Sequence, residues 1–236
     1  MLPKNIPNNE RLIFALDVPD ADTARTIIKQ LGDNVQFYKL GLELFLSGAY
    51  FELLTELQAN GKKVFADLKL FDVPATVAAA VKQLDQHQVD FCTVHGQNAM
   101  LKAAADAAQH TRILAVTALT SLDQGDLNDL GFKCNAKDLV LSRAKRALEL
   151  GCAGVISSGL EAPALRAAVD EKLLVICPGI RPIANDHDDD QKRTVDVQQA
   201  FSNGADYIVV GRPIKNAPNP AQAAAEIQST IEKYFS

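Results

Sequence analysis

Tryptophan is absent from this chain, and only 6% of its residues are aromatic. Cysteine is scarce as well: four residues, at 92, 134, 152 and 177, with no C-x-x-C pair among them. That spacing argues against a zinc site, and a chain of 236 residues can bury a sizeable core without staples. Cys92 and Cys177 fall inside apolar runs and read as buried, reduced thiols. No stretch approaches the ~18 consecutive apolar residues of a membrane span. The first residues, M-L-P-K-N-I-P-N-N-E-R, lack the apolar h-region of a secretory signal. A cytoplasmic protein with no membrane partner is expected. Basic residues do not dominate either: 24 Lys and Arg against 29 Asp and Glu leave a net charge of −5. This balance argues against a duplex nucleic acid partner, which needs a basic face. An anionic small molecule stays admissible, because a local cluster overrides the net charge.

What the sequence does contain is a regular alternation of short apolar runs and amphipathic segments. The strand candidates are 12–16, 35–40, 63–68, 91–95, 113–117, 154–157, 173–177 and 207–210. Helical patterns of roughly ten to eighteen residues lie between them. Several of these end in a glycine that leads into the next strand: Gly32, Gly61, Gly151 and Gly204. Eight strand–helix units are the count of an α/β fold of the (β/α)8 barrel type. An open doubly wound sheet is the alternative, but no G-x-G-x-x-G follows the first strand. The expectation is one barrel domain over residues 1–236, with 1–10 as an N-terminal extension. Eight units give about 29 residues each, near the lower end for barrels.

Barrel enzymes carry their chemistry at the C-terminal ends of the strands. Side chains alternate along a strand, so parity assigns directions. Ile13, Ala15 and Asp17 share a face in the first strand, and Val35, Phe37 and Lys39 in the second. In the third, Phe65, Asp67 and Lys69 point one way while Val64, Ala66 and Leu68 point outward to the helices. Asp17, Lys39, Asp67 and Lys69 are thereby predicted to converge on the barrel mouth. In the fourth strand the same parity turns Thr93 and His95 inward. The densest signal is D-L-K-L-F-D-V-P-A-T at 67–76, where Asp67 and Asp72 flank the Lys69 amine. One reading is a structural ion-pair cluster; the other is a working site. Burying charge for stability alone is poorly rewarded, which favours the second.

A further signal lies near the end of the chain. P-G-I-R at 178–181 follows the seventh strand and V-G-R-P at 210–213 the eighth. Loops at these two places commonly bind phosphate in barrels, with glycine N–H groups and an arginine clamp. Taken alone, G-R-P is an ordinary turn; its position is what points to an oxyanion. The polar loop between them carries D-H-D-D-D near Asn185–Asp190 and reads as a hydrated lid rather than a metal site. His87, His110 and His187 read as surface residues, and His95 as a weaker site candidate.

These residues carry a resemblance to the bacterial type of orotidine 5′-monophosphate decarboxylase. The pieces are F-A-L-D-V at 14–18, Y-K-L-G at 38–41, the 67–76 segment, T-A-L-T-S at 117–121, P-G-I-R-P at 178–182, D-Q-K-R at 190–193 and V-G-R-P-I at 210–214. Together they span about Arg11 to Lys233. The resemblance implies that Lys69 donates a proton to C6 of the pyrimidine and that Asp67 lies beside the departing carboxylate. Lys39 and Asp72 complete the charged network. Asp17 and Lys39 hold ribose hydroxyls, and Thr120 meets the pyrimidine edge. Arg181, Gln191, Gly211 and Arg212 surround the phosphate. Asp72 and Thr76 reach the neighbouring site of a homodimer. No metal or cofactor is implied. The acidic stretch before Gln191 departs from the family's loop, whose length varies. Two alternatives stay open. One is a related magnesium-dependent barrel acting on sugar phosphates, for which Glu43 is the nearest additional ligand candidate. The other is a non-catalytic phosphate-binding barrel, which has no need of Lys69 between carboxylates.

Overall fold

The computed structural model describes residues 4–181 and 194–236. Its strands are β1 Leu12–Ala15, β2 Phe37–Leu40, β3 Lys63–Leu70, β4 Phe91–His95, β5 Arg112–Val116, β6 Gly154–Ile156, β7 Leu174–Cys177 and β8 Tyr207–Val210. Each pairs in parallel with the next, and β8 pairs with β1, so the sheet closes on itself. The helices that return the chain include α1 Ala21–Leu31, α2 Leu42–Leu46, α3 Tyr50–Ala59, α4 Pro74–Gln86, α5 Asn98–Ala107 and α6 Gln124–Asp129. They continue with α7 Ala136–Glu149, α8 Ala162–Ala168, α9 Val197–Ser202, α10 Arg212–Lys215 and α11 Pro220–Phe235. The barrel expected from the alternation is the fold observed. Among the described residues, no helix is long and apolar enough to cross a membrane.

Local chemistry sets the boundaries. Asp20 caps α1 by accepting from the Thr23 N–H at 2.8 Å, and Pro74 opens α4 in a first turn that needs no donor. Two cores result from strand alternation. Inside the barrel lie Ile13, Phe37, Phe65, Phe91, Leu114 and Tyr207 with their neighbours; outside, Leu12, Phe14, Tyr38, Val64 and Ala66 meet the apolar faces of the helices. Four aromatic rings meet within: Phe37 stacks on Phe91 at 5.1 Å, and Tyr207 and Phe65 meet Phe91 edge-on at 5.3 and 6.0 Å. These rings stand at or near the starts of their strands, so they fill the lower barrel and leave its upper end to polar side chains.

Two expectations need correction. Val35 precedes β2 and packs in the outer core, so it does not share the inward face of Phe37 and Lys39. The first residues are also more than an extension. Ile6 packs against the barrel interior, and Lys4 Nζ bonds Asp206 and the Leu173 carbonyl, both at 2.6 Å, closing the lower end.

Candidate active site

The upper end of the barrel is shaped by an irregularity in β3. Pairing with β4 is regular at Ala66–Cys92 and resumes at Leu70–Val94, so four steps along β3 match two along β4. Bulges of this kind re-aim side chains and cluster beside active sites. Here the affected residue is Lys69, whose φ of +47° places it in the left-handed region. A lysine there costs about 1–2 kcal/mol relative to glycine.

Around it stands an alternating row of charges. Lys39 Nζ lies 3.0 Å from Asp17 Oδ1 and 3.3 Å from Asp67 Oδ2, and Lys69 Nζ lies 2.9 Å from the same Asp67 oxygen. Three strand ends thus contribute two carboxylates and two ammonium groups, as parity predicts. Burial alone would depress the Lys39 pKa, but Asp67 and Asp17 outweigh it and hold the value above that of an ordinary lysine. Burial would likewise raise Asp67; the two lysines and the hydrogen bonds from Lys69 and Thr93 outweigh it and hold its carboxyl below the usual range. Lys39 and Asp67 are enclosed, with side chains 10% and 12% exposed, whereas the Lys69 side chain is 37% exposed. Of the two ammonium groups in the row, Lys69 is the more open to the cavity.

That ligand space is a cavity of about 290 Å³. Ala15, Phe65, Val116, Ile156 and Val209 give it an apolar floor. Asp17, Lys39, Asp67 and Lys69 line one side; Thr120, Arg181, Gly211 and Arg212 also line it, from the segments after β5, β7 and β8. Gly211 precedes α10 directly, and a Cβ there would stand 3.2 Å from that of Ala15. The arrangement offers cations at two places, one beside carboxylates and one beside a glycine turn. It suits a molecule with an anionic group at each end.

Other expectations fare differently. Gln191, His187 and the rest of the predicted 182–191 lid lie outside the described residues. Asp72 does not join the row within its own chain: it is exposed, and its Oδ1 accepts from the Val73 N–H at 2.6 Å. Thr76 is exposed on the first turn of α4. Within one chain only Asp67 stands beside the Lys69 amine, and Asp72 sits between the exposed side chains of Phe71 and Val73. His95 is half-buried against Phe71, with ring centroids 4.8 Å apart, and does not line the cavity. His87, expected as a surface residue, stacks on Phe51 at 4.6 Å. Glu43 is exposed on α2, outside the cavity. Among the described residues, no group of three His, Cys, Asp or Glu side chains could hold a metal ion.

Three contributors escaped the sequence reading. Lys215 lines the cavity and donates to the Asp17 carbonyl at 2.7 Å. Gly41, noted only as part of Y-K-L-G, leaves the space that Asp17 and Lys39 occupy. Thr93, placed inward by parity but given no role, donates to Asp67 Oδ1 at 2.9 Å. A small residue two positions after a strand-end lysine was the available signal for Gly41; nothing local marks the other two.

Comparison with known proteins gives a consistent picture. Residues 10–227 match the family described as orotidine 5′-phosphate decarboxylase / HUMPS. The orotidine 5′-phosphate decarboxylase of Methylococcus capsulatus is 59% identical over 232 residues, covering 98% of this chain and 96% of that one. The enzyme of the same name from Stenotrophomonas maltophilia is 50% identical, covering 97% and 95%. Among solved structures, the orotidine 5′-phosphate decarboxylase of Lactobacillus acidophilus superposes with a TM-score of 0.83 at 33% identity, covering 94% of this chain and 99% of its own.

Proposed function

The chain belongs to the orotidine 5′-phosphate decarboxylase / HUMPS family, and from that premise we propose that it converts orotidine 5′-monophosphate to uridine 5′-monophosphate, the closing step of pyrimidine nucleotide synthesis, without metal or cofactor. The observation that carries this reading is the Asp17–Lys39–Asp67–Lys69 row facing a cavity whose lining also includes Arg181, Gly211 and Arg212.

The chemistry follows from where these charges stand. Breaking the bond between C6 and its carboxylate leaves the electron pair on C6, where the ring carbonyls do not delocalise it in the usual way. Carbon dioxide departs, and a proton moves from Lys69 Nζ to C6. Lysine is left as a neutral amine, to be reprotonated from solvent. A cation held where negative charge develops stabilises the transition state most when water is excluded. At 4 Å and an effective dielectric of 20, each charge pair is worth about 4 kcal/mol. Asp67 holds the Lys69 ammonium in place and crowds the substrate carboxylate; binding energy from the distant phosphate offsets that crowding. Asp17 and Lys39 would engage ribose hydroxyls, Thr120 the pyrimidine edge, and Arg181, Gln191, Gly211 and Arg212 the phosphate.

Asp72 and Thr76 are assigned to the neighbouring site of a homodimer. The exposed apolar pair Phe71 and Val73 flanking Asp72 supports this, as do exposed Leu42, Phe45 and Leu46 after the adjacent strand β2. Membership in a family that also includes HUMPS enzymes keeps a magnesium-dependent reaction in view, and the position of Glu43 outside the cavity weighs against it. Four free cysteines are in keeping with a cytoplasmic setting.

The test is direct. Incubated with orotidine 5′-monophosphate and excess EDTA, the protein should produce the ultraviolet change of decarboxylation at its full rate. Lys69→Ala should lose at least about a hundredfold, the usual scale for removing a proton donor. Absence of turnover in the wild type, or abolition by EDTA, would overturn the reading.

A further inference from the structure

Thr93 stands in the middle of β4, fully buried, on the inward side at the level of the β3 bulge. Its hydroxyl does two things at once. It donates to Asp67 Oδ1 at 2.9 Å and accepts from the Lys69 backbone N–H at 3.0 Å. The second bond has a clear cause. Where β3 bulges away from β4, the regular ladder is interrupted between Ala66 and Leu70, and the Lys69 N–H is bonded by this side chain instead. A backbone donor left without a partner in that setting would be costly. The first bond occupies the Asp67 oxygen that faces away from the lysines, since Lys39 and Lys69 both approach Oδ2.

We propose that Thr93 is the positioning residue of the charged row, a single hydroxyl that pins the left-handed backbone at Lys69 and fixes the rotation of the Asp67 carboxylate. Thr93 is not among the residues lining the cavity, so it touches no substrate and acts only through these two neighbours. Its one proton is committed to Asp67 and a lone pair to Lys69. Valine, of nearly the same shape, can make neither bond, whereas serine can make both. The kinetic consequence rests on the decarboxylase reading; the placement of Asp67 and Lys69 does not.

The experiment compares Thr93→Val and Thr93→Ser in the full chain by two independent readouts. Steady-state kinetics with orotidine 5′-monophosphate should give a kcat lowered about tenfold to a hundredfold in Thr93→Val, the scale of hydrogen bonds to a charged group. KM should move far less, because no ligand contact is lost. Carbon-13 NMR titration of the side-chain carboxyl of Asp67 should place its protonation at higher pH in Thr93→Val than in wild type, since one stabilising donor is gone while Lys39, Lys69 and Asp17 remain around it. Thr93→Ser should return both readouts most of the way to wild type. A Thr93→Val protein with unchanged kcat and an unmoved Asp67 titration overturns the proposal. So does a defect that serine fails to rescue, which would assign the role to the packing of the threonine methyl. Should Thr93→Val not fold, Thr93→Ala is measured in the same way, and an unmoved Asp67 there is equally decisive. If the wild type does not turn over the nucleotide, the decarboxylase reading falls while the Asp67 titration still decides the role of Thr93.

Discussion

A methyl group built on Gly41 would stand 2.9 Å from Asp17 Oδ1 and 3.4 Å from Lys39 Nζ. Any side chain at this position crowds Asp17 Oδ1 where it now pairs with Lys39 Nζ at 3.0 Å, so the carboxylate must shift. Gly41→Ala should therefore displace the Asp17 carboxylate, on our assignment the partner of the ribose. Its KM for the nucleotide should rise about tenfold, equivalent to roughly 1.4 kcal/mol, with kcat less affected; an unchanged KM would detach Asp17 from binding. The same row of charges has a defined pH signature. Asp67 is held below its ordinary pKa, so its contribution to stability is present above the usual carboxylate range and is lost as pH falls through the lowered value. Lys39 is held above its ordinary pKa, so its contribution is present below the usual lysine value and is lost as pH rises through the raised one. The stability difference between wild type and Asp67→Asn should be flat from about pH 5 to 9 and close at lower pH. Thermal melts across that range decide it.

At the scale of elements, the junctions between helices and strands carry unequal loads. Gly61 and Gly204 both end helical segments with positive φ, +70° and +101°. A side chain at Gly61 would meet nothing within 4 Å, while at Gly204 it would stand 2.7 Å from Arg166 Cγ. That arginine bonds the Gly204 carbonyl and Asp206, and Asp206 in turn accepts from the Val175 N–H in β7. Gly61→Ala should cost about 1 kcal/mol from backbone strain alone. Gly204→Ala should cost distinctly more in denaturant unfolding, and equal losses would show that the Arg166 contact adds nothing. Helix-ending glycines of this kind are legible in a sequence because the requirement is local. So are the eight strands: β8 begins and ends where its apolar run does, since a buried parallel strand reads as a continuous apolar run. The bulge in β3 was not legible. Alternation turns Lys69 to the side of Asp67, but nothing in D-L-K-L announces its left-handed backbone or the interrupted pairing with β4. The partner that satisfies it, Thr93, is a residue of another strand. Lys4 was missed for the same reason: its partners lie some 170 to 200 positions away, and no local pattern encodes them. Spacing along β3 likewise cannot report that Asp72 stands exposed and away from the Lys69 amine of its own chain.

For the whole molecule, a net charge of −5 coexists with a mouth where Lys39, Lys69, Arg181, Arg212 and Lys215 line one cavity. A cluster of this kind draws an anion to one end of an otherwise acidic protein. With Asp72 and Thr76 outside that cavity, the proposed roles of Asp72 in catalysis and Thr76 in substrate binding require a second subunit to supply them. Mixing inactive Lys69→Ala with inactive Asp72→Ala, then exchanging subunits, should restore about a quarter of wild-type activity. Random pairing into twofold dimers makes half of them mixed, each with one intact site. No recovery after verified exchange would confine each site to one chain.

With Lys69 as the proposed proton donor, its left-handed turn sets folding and function against each other at one position. A sequence chosen for stability alone would place glycine there, as φ +47° suits no other residue so well. Truncation should reveal this: with the amine gone from both, Lys69→Gly should be more stable than Lys69→Ala by about 1 kcal/mol, the reverse of the ordinary order within a strand. The reversal would be read as a higher midpoint in denaturant for the glycine variant. On the proposed role of Lys69, any programme that improves this protein by selecting heat-resistant variants, without also assaying turnover, should drift toward an inert barrel by way of this residue.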